Sequence, residues 1–242
     1  MYGERQSPAG RLSRQPPIRG QRQYDDVMLV LGDAHADDPD RRESLRAAYR
    51  AADEDAALQV GDLLCYDLPA PTWFVAGNNE DFDVIDALRR GDATLSTAER
   101  PHLLASTADE VAGLRVAGLS GNYAPTKYDN SRAELTGGRR RHFVRSEVER
   151  AKSLSDVDVF LCHEAPHGLL RVGGGRDPGC AAVDEILRAV EPELCLVGHH
   201  HRHAEATFGD VRVVSLVPVW EGYYTLDAET LELDRHPVPD AV

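Results

Sequence analysis

Residues 27–35 read VMLVLGDAH, an apolar run that ends in glycine and then in two polar side chains that can bind metal. A short apolar run bounded in this way predicts a buried strand followed by a loop. The same pattern returns in ALQVGDLL (57–64) and TWFVAGNNE (72–80). Between the first two runs, residues 38–55 carry an early proline and small or apolar residues at helical spacing, which predicts a helix. The early chain therefore has a βαβ-like order, and a further short helix is expected over 82–90.

The later part of the chain is richer in strands. One strand is predicted within 111–123, and two more in VDVFLCHEAP (157–166) and ELCLVGHHH (193–201), with a helix near 179–190 between them. Residues 204–236 alternate in the manner of antiparallel strands. A βαβ-like beginning and a meander-like end predict an α/β protein with one mixed sheet or two sheets, and with helices outside.

Two segments fall outside this pattern. Residues 1–23 are rich in Arg, Gln, Pro and Gly without periodicity, which predicts a disordered basic tail before an ordered domain at 24–242. Residues 122–142 are polar and have no clear period, so we interpret them as a long inserted loop. Within that loop, Arg139, Arg140 and Arg141 are either a solvated run or a guide for an anionic substrate.

The composition is that of an ordinary globular protein. The 242 residues are 42% hydrophobic and 28% charged, which is typical of the soluble class. No apolar run approaches the length of a membrane span, and the first residues lack the apolar core of a secretory signal, so we expect a cytoplasmic protein without membrane contact. The four cysteines have no CxxC spacing, which favours free buried thiols over a disulfide framework.

The charge is strongly acidic. A net charge of −14 argues against broad binding of nucleic acid or anionic membranes by the folded body. Lys127 and Lys152 are the only lysines among the 27 basic residues. Scarce lysine and abundant alanine and aspartate favour a protein of a salt-accumulating halophile, and an acidic protein from a GC-rich genome is the alternative.

Each main predicted strand ends in a group that can bind a metal ion. These groups are Asp33, His35, Asp62, Asn78, Asn79, His163, His199, His200 and His201. Ligands of open α/β sheets bind beyond the carboxyl ends of the strands, so these side chains are expected to converge. A mixture of carboxylate, amide and imidazole groups suits Mn²⁺, Fe²⁺, Zn²⁺, Co²⁺ or Ni²⁺. The set exceeds the needs of one ion, and a shared carboxylate such as Asp62 could bridge two ions about 3.5–4 Å apart.

Spacing selects among these groups. Asp33 and His35 are two residues apart, as are His199 and His201. In an extended segment, residues with this spacing point to the same side, and the residue between them points to the other. The sequence therefore predicts that the histidine run supplies two ligands and that His200 faces elsewhere.

Five short motifs, in order, resemble those of the calcineurin-like metallophosphoesterase family. The family pattern runs D-x-H, G-D, G-N-H-D/E, a lone H, and G-H-x-H. This chain has GDAHAD (32–37), VGDLL (60–64), GNNE (77–80), CHEAP (162–166) and GHHH (198–201). The resemblance implies a two-layer mixed β-sandwich flanked by helices, of the αββα type, and a dinuclear metal centre.

The resemblance also implies which side chains bind which ion. The first ion would be held by Asp33, His35, Asp62 and His201, and the second by Asp62, Asn78, His163 and His199. The stretches CHEAPHGLL and GLSGNYAP are, in addition, similar to the branch that contains RNA lariat debranching enzymes.

Asn79 departs from the family pattern, which usually has histidine at that position. That histidine lies near the leaving group and assists phosphate binding or proton donation. Asparagine can donate a hydrogen bond but cannot transfer a proton at neutral pH. Some phosphodiesterases of the family resemble this chain in lacking the histidine. We expect Asn79 to border the phosphate as the catalytic residue, and His167, His200 and His203 are candidate substitutes for the missing proton donor.

These features predict a metal-dependent phosphoesterase, a phosphodiesterase in the first instance. Two divalent ions, Mn²⁺ before Fe²⁺, Zn²⁺, Co²⁺ or Ni²⁺, would bind a small phosphodiester or nucleotide-like substrate, and a bridging hydroxide would attack phosphorus. The alternative, motivated by Asn79, is a catalytically impaired scaffold that keeps the fold. A third hypothesis is a nucleic-acid enzyme of the debranching kind that uses the basic tail and the arginine run.

Overall fold

Two mixed sheets form the centre of the molecule. The computed structural model describes residues 27–92 and 101–239, and the predicted tail at 1–23 lies outside that range. The strands in the described part of the chain are β1 (Val27–Leu31), β2 (Ala57–Gln59), β3 (Thr72–Phe74), β4 (Pro101–Leu103), β5 (Thr107–Val111), β6 (Leu114–Leu119), β7 (Val159–Cys162), β8 (Leu194–Val197), β9 (Ala204–Phe208), β10 (Val211–Ser215), β11 (Tyr223–Asp227) and β12 (Leu233–His236).

Each sheet has a parallel centre and antiparallel strands at an edge. The first sheet has the order β12-β11-β1-β2-β3-β4, and its β1 to β4 run parallel. The second has the order β5-β6-β7-β8-β10-β9, in which β6, β7, β8 and β10 run parallel. The predicted α/β class is confirmed, and the open choice between one sheet and two is resolved in favour of two.

Successive side chains of each strand point to opposite faces of the sheet, which divides the hydrophobic core into three layers. Met28 and Val30 of β1 face Leu161 and other residues of the second sheet, whereas Leu29 and Leu31 pack under the helices. The same division recurs in the second sheet, where alternate residues of β7 and β8 face the first sheet or the helices on the far side. Both faces of each sheet are buried, which explains why the strands read as continuous apolar runs.

Four α-helices cover the outer faces in the described part of the chain. They are α1 (Pro39–Ala52), α2 (Phe82–Arg90), α3 (Arg145–Lys152) and α4 (Ala181–Val190). The carboxylate of Asp38 caps α1 by accepting from the backbone N–H of Asp40 and Arg41, and Pro39 begins the helix. Asp81 caps α2 in the same way, and Gly91 ends it in a left-handed conformation.

Several elements differ from the prediction. Helix α3 and strands β4 and β5 were not predicted, because their apolar residues are too few to show a period. The predicted strand at 193–201 ends at Val197, so the histidine run lies in the following loop. The polar segment 122–142 contains two short 3₁₀ helices, Arg132–Glu134 and Gly137–Arg141, rather than continuous loop.

Buried and paired charges hold the 3₁₀ segment in place. The carboxylate of Glu147, 6% exposed, pairs with Arg89 of α2 and with Arg132. Arg140 bonds to Asp83 and Asp86, both on α2. Ion pairs thus attach the segment to α2 on the outer face of the first sheet. Hydrophobic periodicity in the sequence cannot indicate order of this kind.

The cysteine prediction is confirmed in its main point. All four thiols are free; Cys162, Cys180 and Cys195 are buried, and Cys65 is half-buried. Burial raises the pKa of Cys180 to about 11, so that thiol stays protonated at neutral pH. None of the helices in the described part of the chain has the length and apolar character needed to cross a bilayer.

Removing the Glu147 carboxylate is expected to destabilise the protein. Glu147→Ala leaves two guanidinium groups without their partner and should lower the free energy of unfolding by about 3 kcal/mol, measured by urea denaturation. The matched control is Glu43→Ala, which breaks the exposed pair between Glu43 and Arg50 and should cost less than about 0.5 kcal/mol. Equal losses in the two variants would contradict the proposed role of Glu147.

Candidate metal centre

The candidate site lies where the parallel strands of both sheets end. Asp33 follows β1, Asp62 follows β2, and Asn78 follows β3 in the first sheet. His163 follows β7 directly, and His199 follows β8 in the second sheet. The carboxyl ends of both parallel centres therefore meet over one place, as expected for open α/β sheets.

One group of side chains gathers around Asp33. The Nε2 atom of His201 lies 2.8 Å from Oδ2 of Asp33. The Nε2 atom of His35 lies 3.4 Å from Nε2 of His201 and 3.4 Å from Oδ2 of Asp62. Ligand atoms of Asp33, His35 and His201 all lie within 4.8 Å of one another, close enough to share one cation.

A second group gathers around His163, whose side chain is fully buried. Its Nε2 atom lies 3.1 Å from Oδ1 of Asn78, 3.2 Å from Nδ1 of His199, and 3.6 Å from Oδ1 of Asp62. Atoms of Asp33, Asp62 and His163 form a second set within 4.8 Å. The structure thus brings together all seven side chains that the sequence analysis selected as ligands.

The ring of His163 is oriented by the backbone. Its Nδ1 atom lies 2.8 Å from the carbonyl oxygen of Val60, which can only accept, so Nδ1 carries the proton. Nε2 then points into the site, 3.1 Å from Oδ1 of Asn78 and 3.2 Å from Nδ1 of His199, where the neutral ring can bind a cation. A carbonyl contact at the far nitrogen is the usual support for a metal-binding histidine. The donor set therefore fits a divalent metal.

The loops that carry the candidate ligands turn sharply, so the prediction that these segments are extended was wrong. His35, Asp62, His199 and His201 have φ values of 44°, 54°, 70° and 50°, in the left-handed region. The paired residues share a direction because tight loops redirect them, not because their segments are extended. Such conformations are uncommon for residues other than glycine and cluster at functional sites.

Two glycines allow the loops to approach one another. A Cβ atom on Gly61 would lie 2.4 Å from Nδ1 of His163, and the φ of Gly61 is 108°. A Cβ atom on Gly77 would lie 2.1 Å from Oδ1 of Asp62. Any side chain at either position would displace a candidate ligand, which gives the glycines of the G-D and G-N motifs a steric reason.

The carboxylates and imidazoles of the site stabilise one another's charged forms. Burial raises the pKa of Asp33, but the hydrogen bond from His201 and the nearby histidines lower it by more, so the net shift is downward. The same hydrogen bond raises the pKa of His201. Burial lowers the pKa of His163, yet the carboxylates of Asp33 and Asp62 raise it overall. The buried carboxylates at this place therefore attract positive charge.

Asn79 is exposed, and it contacts a carboxylate. Its backbone N–H donates to Oδ1 of Asp62 at 2.7 Å, and its side-chain Nδ2 donates to Oδ2 of Asp62 at 2.7 Å. The residue therefore orients Asp62, a positioning contact that the sequence analysis did not anticipate. It lies beside the site, as expected, and keeps one side open to solvent.

Glu80 is a second contact that the sequence did not reveal. Its buried carboxylate accepts from the backbone N–H of Leu63 and Leu64 and from the hydroxyl of Tyr66. Burial raises its pKa to about 7 against the hydrogen bonds that lower it. Glu80 ties the loop after β2 to the loop after β3; the sequence signal for it is the acidic position that ends the G-N-H-D/E pattern.

The three candidate substitutes for the missing proton donor lie in different surroundings. His167 pairs with Asp184 at 2.8 Å, and His203 contacts the hydroxyl of Tyr224. The ring of His200 packs on that of His199, with centroids 4.8 Å apart, and burial lowers its pKa to about 4. That His200 faces away from the ions stays a prediction.

Comparison with known proteins extends the resemblance. The profile of the calcineurin-like phosphoesterase family matches residues 15–203. The lariat debranching enzyme of Schizosaccharomyces pombe is 28% identical over 156 residues, which cover 55% of this chain and 33% of that enzyme. The lariat debranching enzyme of Entamoeba histolytica is 24% identical over 184 residues, 65% of this chain and 51% of the enzyme. The chain thus spans between a third and a half of the length of these relatives.

Solved structures share the fold. A crystal structure of a protein from Thermus thermophilus superposes with a TM-score of 0.64 at 19% identity, over 88% of this chain and 99% of the other. At this identity the likeness establishes architecture alone. The family profile, in contrast, runs through all five motifs whose side chains meet at the strand ends. By that match, this chain belongs to the calcineurin-like phosphoesterase family.

Proposed function

We propose that this protein is a metal-dependent phosphodiesterase that holds two divalent cations side by side. The first would be bound by Asp33, His35, Asp62 and His201, and the second by Asp62, Asn78, His163 and His199. When bound, such a pair of ions supplies positive charge to the phosphoryl oxygens and lowers the pKa of water to near neutrality.

The position of Asp62 carries the proposal. Its Oδ2 atom faces His35 at 3.4 Å, and its Oδ1 atom faces His163 at 3.6 Å, so the two oxygens of one buried carboxylate serve the two groups. Asn79 donates a hydrogen bond to each of these oxygens and fixes the plane of the carboxylate. This arrangement supports a bridging role for Asp62.

Two observations favour a diester over a monoester as substrate. Asn79 lies where some phosphodiesterases of the family also lack the histidine, and asparagine cannot protonate a leaving group. The relatives matched by sequence are named lariat debranching enzymes, and debranching cleaves a phosphodiester. We infer a small phosphodiester or nucleotide-like substrate, and Mn²⁺ as the first metal to test.

Phosphodiesterase activity is expected to depend on the carboxylate of Asp62. Purified protein with Mn²⁺ is expected to hydrolyse bis-p-nitrophenyl phosphate, and Asp62→Asn is expected to lower kcat at least about 10²-fold, because one oxygen of the bridge is lost. The acidic composition calls for assays in both low and molar salt. Absence of turnover with Mn²⁺, Fe²⁺, Zn²⁺, Co²⁺ and Ni²⁺ under both conditions would favour the scaffold hypothesis.

Metal binding can be observed through Trp220, whose ring centroid lies 5.3 Å from that of His201. In a Trp73→Phe variant, Trp220 is the single tryptophan, and Co²⁺ or Mn²⁺ bound beside it should quench its fluorescence. Titration is expected to saturate at two ions per chain. His201→Ala should remove the quenching step of the nearer ion, whereas His236→Ala, at the end of the edge strand β12, should not. A wild-type titration without saturable quenching would count against the proposed centre.

Restoring histidine at position 79 tests the leaving-group argument. Asn79→His should raise the rate for bis-phenyl phosphate relative to bis-p-nitrophenyl phosphate by at least about tenfold, because only the phenolate needs a proton. Asn79→Ala is the control, since it removes the side-chain hydrogen bond to Asp62 without supplying an acid and should lower both rates together. An unchanged ratio in Asn79→His would show that position 79 does not face the leaving group.

A further inference from the structure

Trp220 lies against the metal centre on the side of His35 and His201. Its ring meets that of His201 edge-on, at 88° and 5.3 Å between centroids, and that of His35 at 50° and 5.8 Å. The preceding residue fixes this position, because Val219 is fully buried and its N–H donates to the carbonyl oxygen of Asp33 at 3.0 Å. Trp220 itself is half-buried, so part of the indole faces solvent beside the site.

Arg41 lies on the face of this ring. Its guanidinium carbon is 4.3 Å from the centroid of Trp220, and the side chain is otherwise exposed. Within the described chain, Arg41 makes no ion pair. The neighbouring carboxylate of Asp38 is already engaged by the backbone N–H groups of Asp40 and Arg41 as the cap of α1. Although the protein has a net charge of −14, this guanidinium has no carboxylate partner among the described residues and lies close to the candidate centre.

The chain's other tryptophan, Trp73, has an acceptor for its indole N–H and serves as a comparison. The N–H of Trp73 donates to Oδ2 of Asp109 at 2.7 Å, and its ring stacks on His102 at 4.5 Å. The indole N–H of Trp220 has no acceptor among the described residues. Arg41 and Trp220 together present unused donors: the edges of a planar guanidinium and one indole N–H.

We propose that Arg41 and Trp220 bind a second anionic group of the substrate, a phosphate or a carboxylate, next to the phosphodiester that is cleaved. The inference rests on the proposed function and names the substrate class: a diester that carries a further charge. A guanidinium matches such a group with two parallel hydrogen bonds. Stacking on the indole holds the arginine in place before binding, which reduces the entropic cost of fixing a long side chain.

The surrounding elements support this arrangement. Arg41 lies in the first turn of α1, where the helix dipole favours an anion over a cation. The contact with the face of Trp220 offsets the unfavourable interaction of the guanidinium with the helix dipole, since the two interactions are similar in size.

The first experiment compares the p-nitrophenyl esters of thymidine 5′-phosphate and thymidine 3′-phosphate, whose leaving group needs no proton, with the same esters carrying a second phosphate at the free hydroxyl. Wild-type protein with Mn²⁺ should prefer one phosphorylated form by about fivefold to tenfold in kcat/KM, mainly through KM. Arg41→Gln should remove the preference, measured as the ratio of kcat/KM on the phosphorylated and unphosphorylated esters within the same variant. Arg46→Gln, an exposed arginine on the same helix, is the matched control and should keep the preference.

Trp220 variants separate ring contact from general packing. Trp220→Phe retains an aromatic face and should keep most of the preference, whereas Trp220→Leu should lose it while the melting temperature reports any change in stability. No preference for either phosphorylated form in the wild type, or a preference that survives Arg41→Gln, would overturn the proposal.

A binding measurement decides the inference independently of turnover. Methylphosphonate dithymidine, which resists hydrolysis, is prepared with and without a terminal phosphate and titrated into the Trp73→Phe protein with Zn²⁺, with Trp220 fluorescence as readout. The phosphorylated analogue should bind about fivefold tighter or better, and only in protein that contains Arg41. Equal affinities would reject the site. Differential binding without hydrolysis of any of the p-nitrophenyl esters would reject the proposed function and retain the anion site.

Discussion

Two carboxylates buried close together impose the main constraint on this molecule. Asp33 and Asp62 are 1% and 2% exposed, and their oxygens belong to the same cluster within 4.8 Å. Like charges at this separation and depth cannot both stay ionised without compensation, and the histidines around them supply it only when protonated. A pair of divalent cations would satisfy the carboxylates and leave the imidazoles neutral, as ligands. The loops, the glycines and the backbone turns can all be understood as means of holding this arrangement.

Both sheets are needed to build the arrangement. The first sheet contributes Asp33, His35, Asp62 and Asn78, and the second contributes His163, His199 and His201. Glu80 and Asn79 act within the first set by tying loops and orienting Asp62, and Val60 orients His163 across the interface between the sheets. The centre is therefore a property of the packing of two layers, and the apolar core between them sets its dimensions.

The sequence predicted the architecture and the meeting of the candidate side chains at the strand ends, because both depend on strong local signals. Apolar runs that end in Gly-Asp or Gly-Asn mark strand ends, and strand ends of parallel sheets meet. It did not predict α3 or the 3₁₀ turns, whose order comes from Glu147 and the arginines around it rather than from an apolar period. It also missed Glu80, the contact of Asn79 with Asp62, and the neighbourhood of Arg41 and Trp220. Those contacts join residues that are not neighbours in the chain, and no local sequence pattern indicates them.

The span of the chain across this centre has a consequence for its synthesis. His35 and His201, whose ring nitrogens are 3.4 Å apart, are separated by 166 positions. On the ribosome, the aspartates of the first sheet leave the exit tunnel long before the last histidines are made, and they must remain hydrated until then. Strand β1 lies between β2 and β11, so one of its edges has no partner until residues 223–227 have been made. The sheet that carries Asp33 and Asp62 is therefore complete only after His199 and His201 have been synthesised.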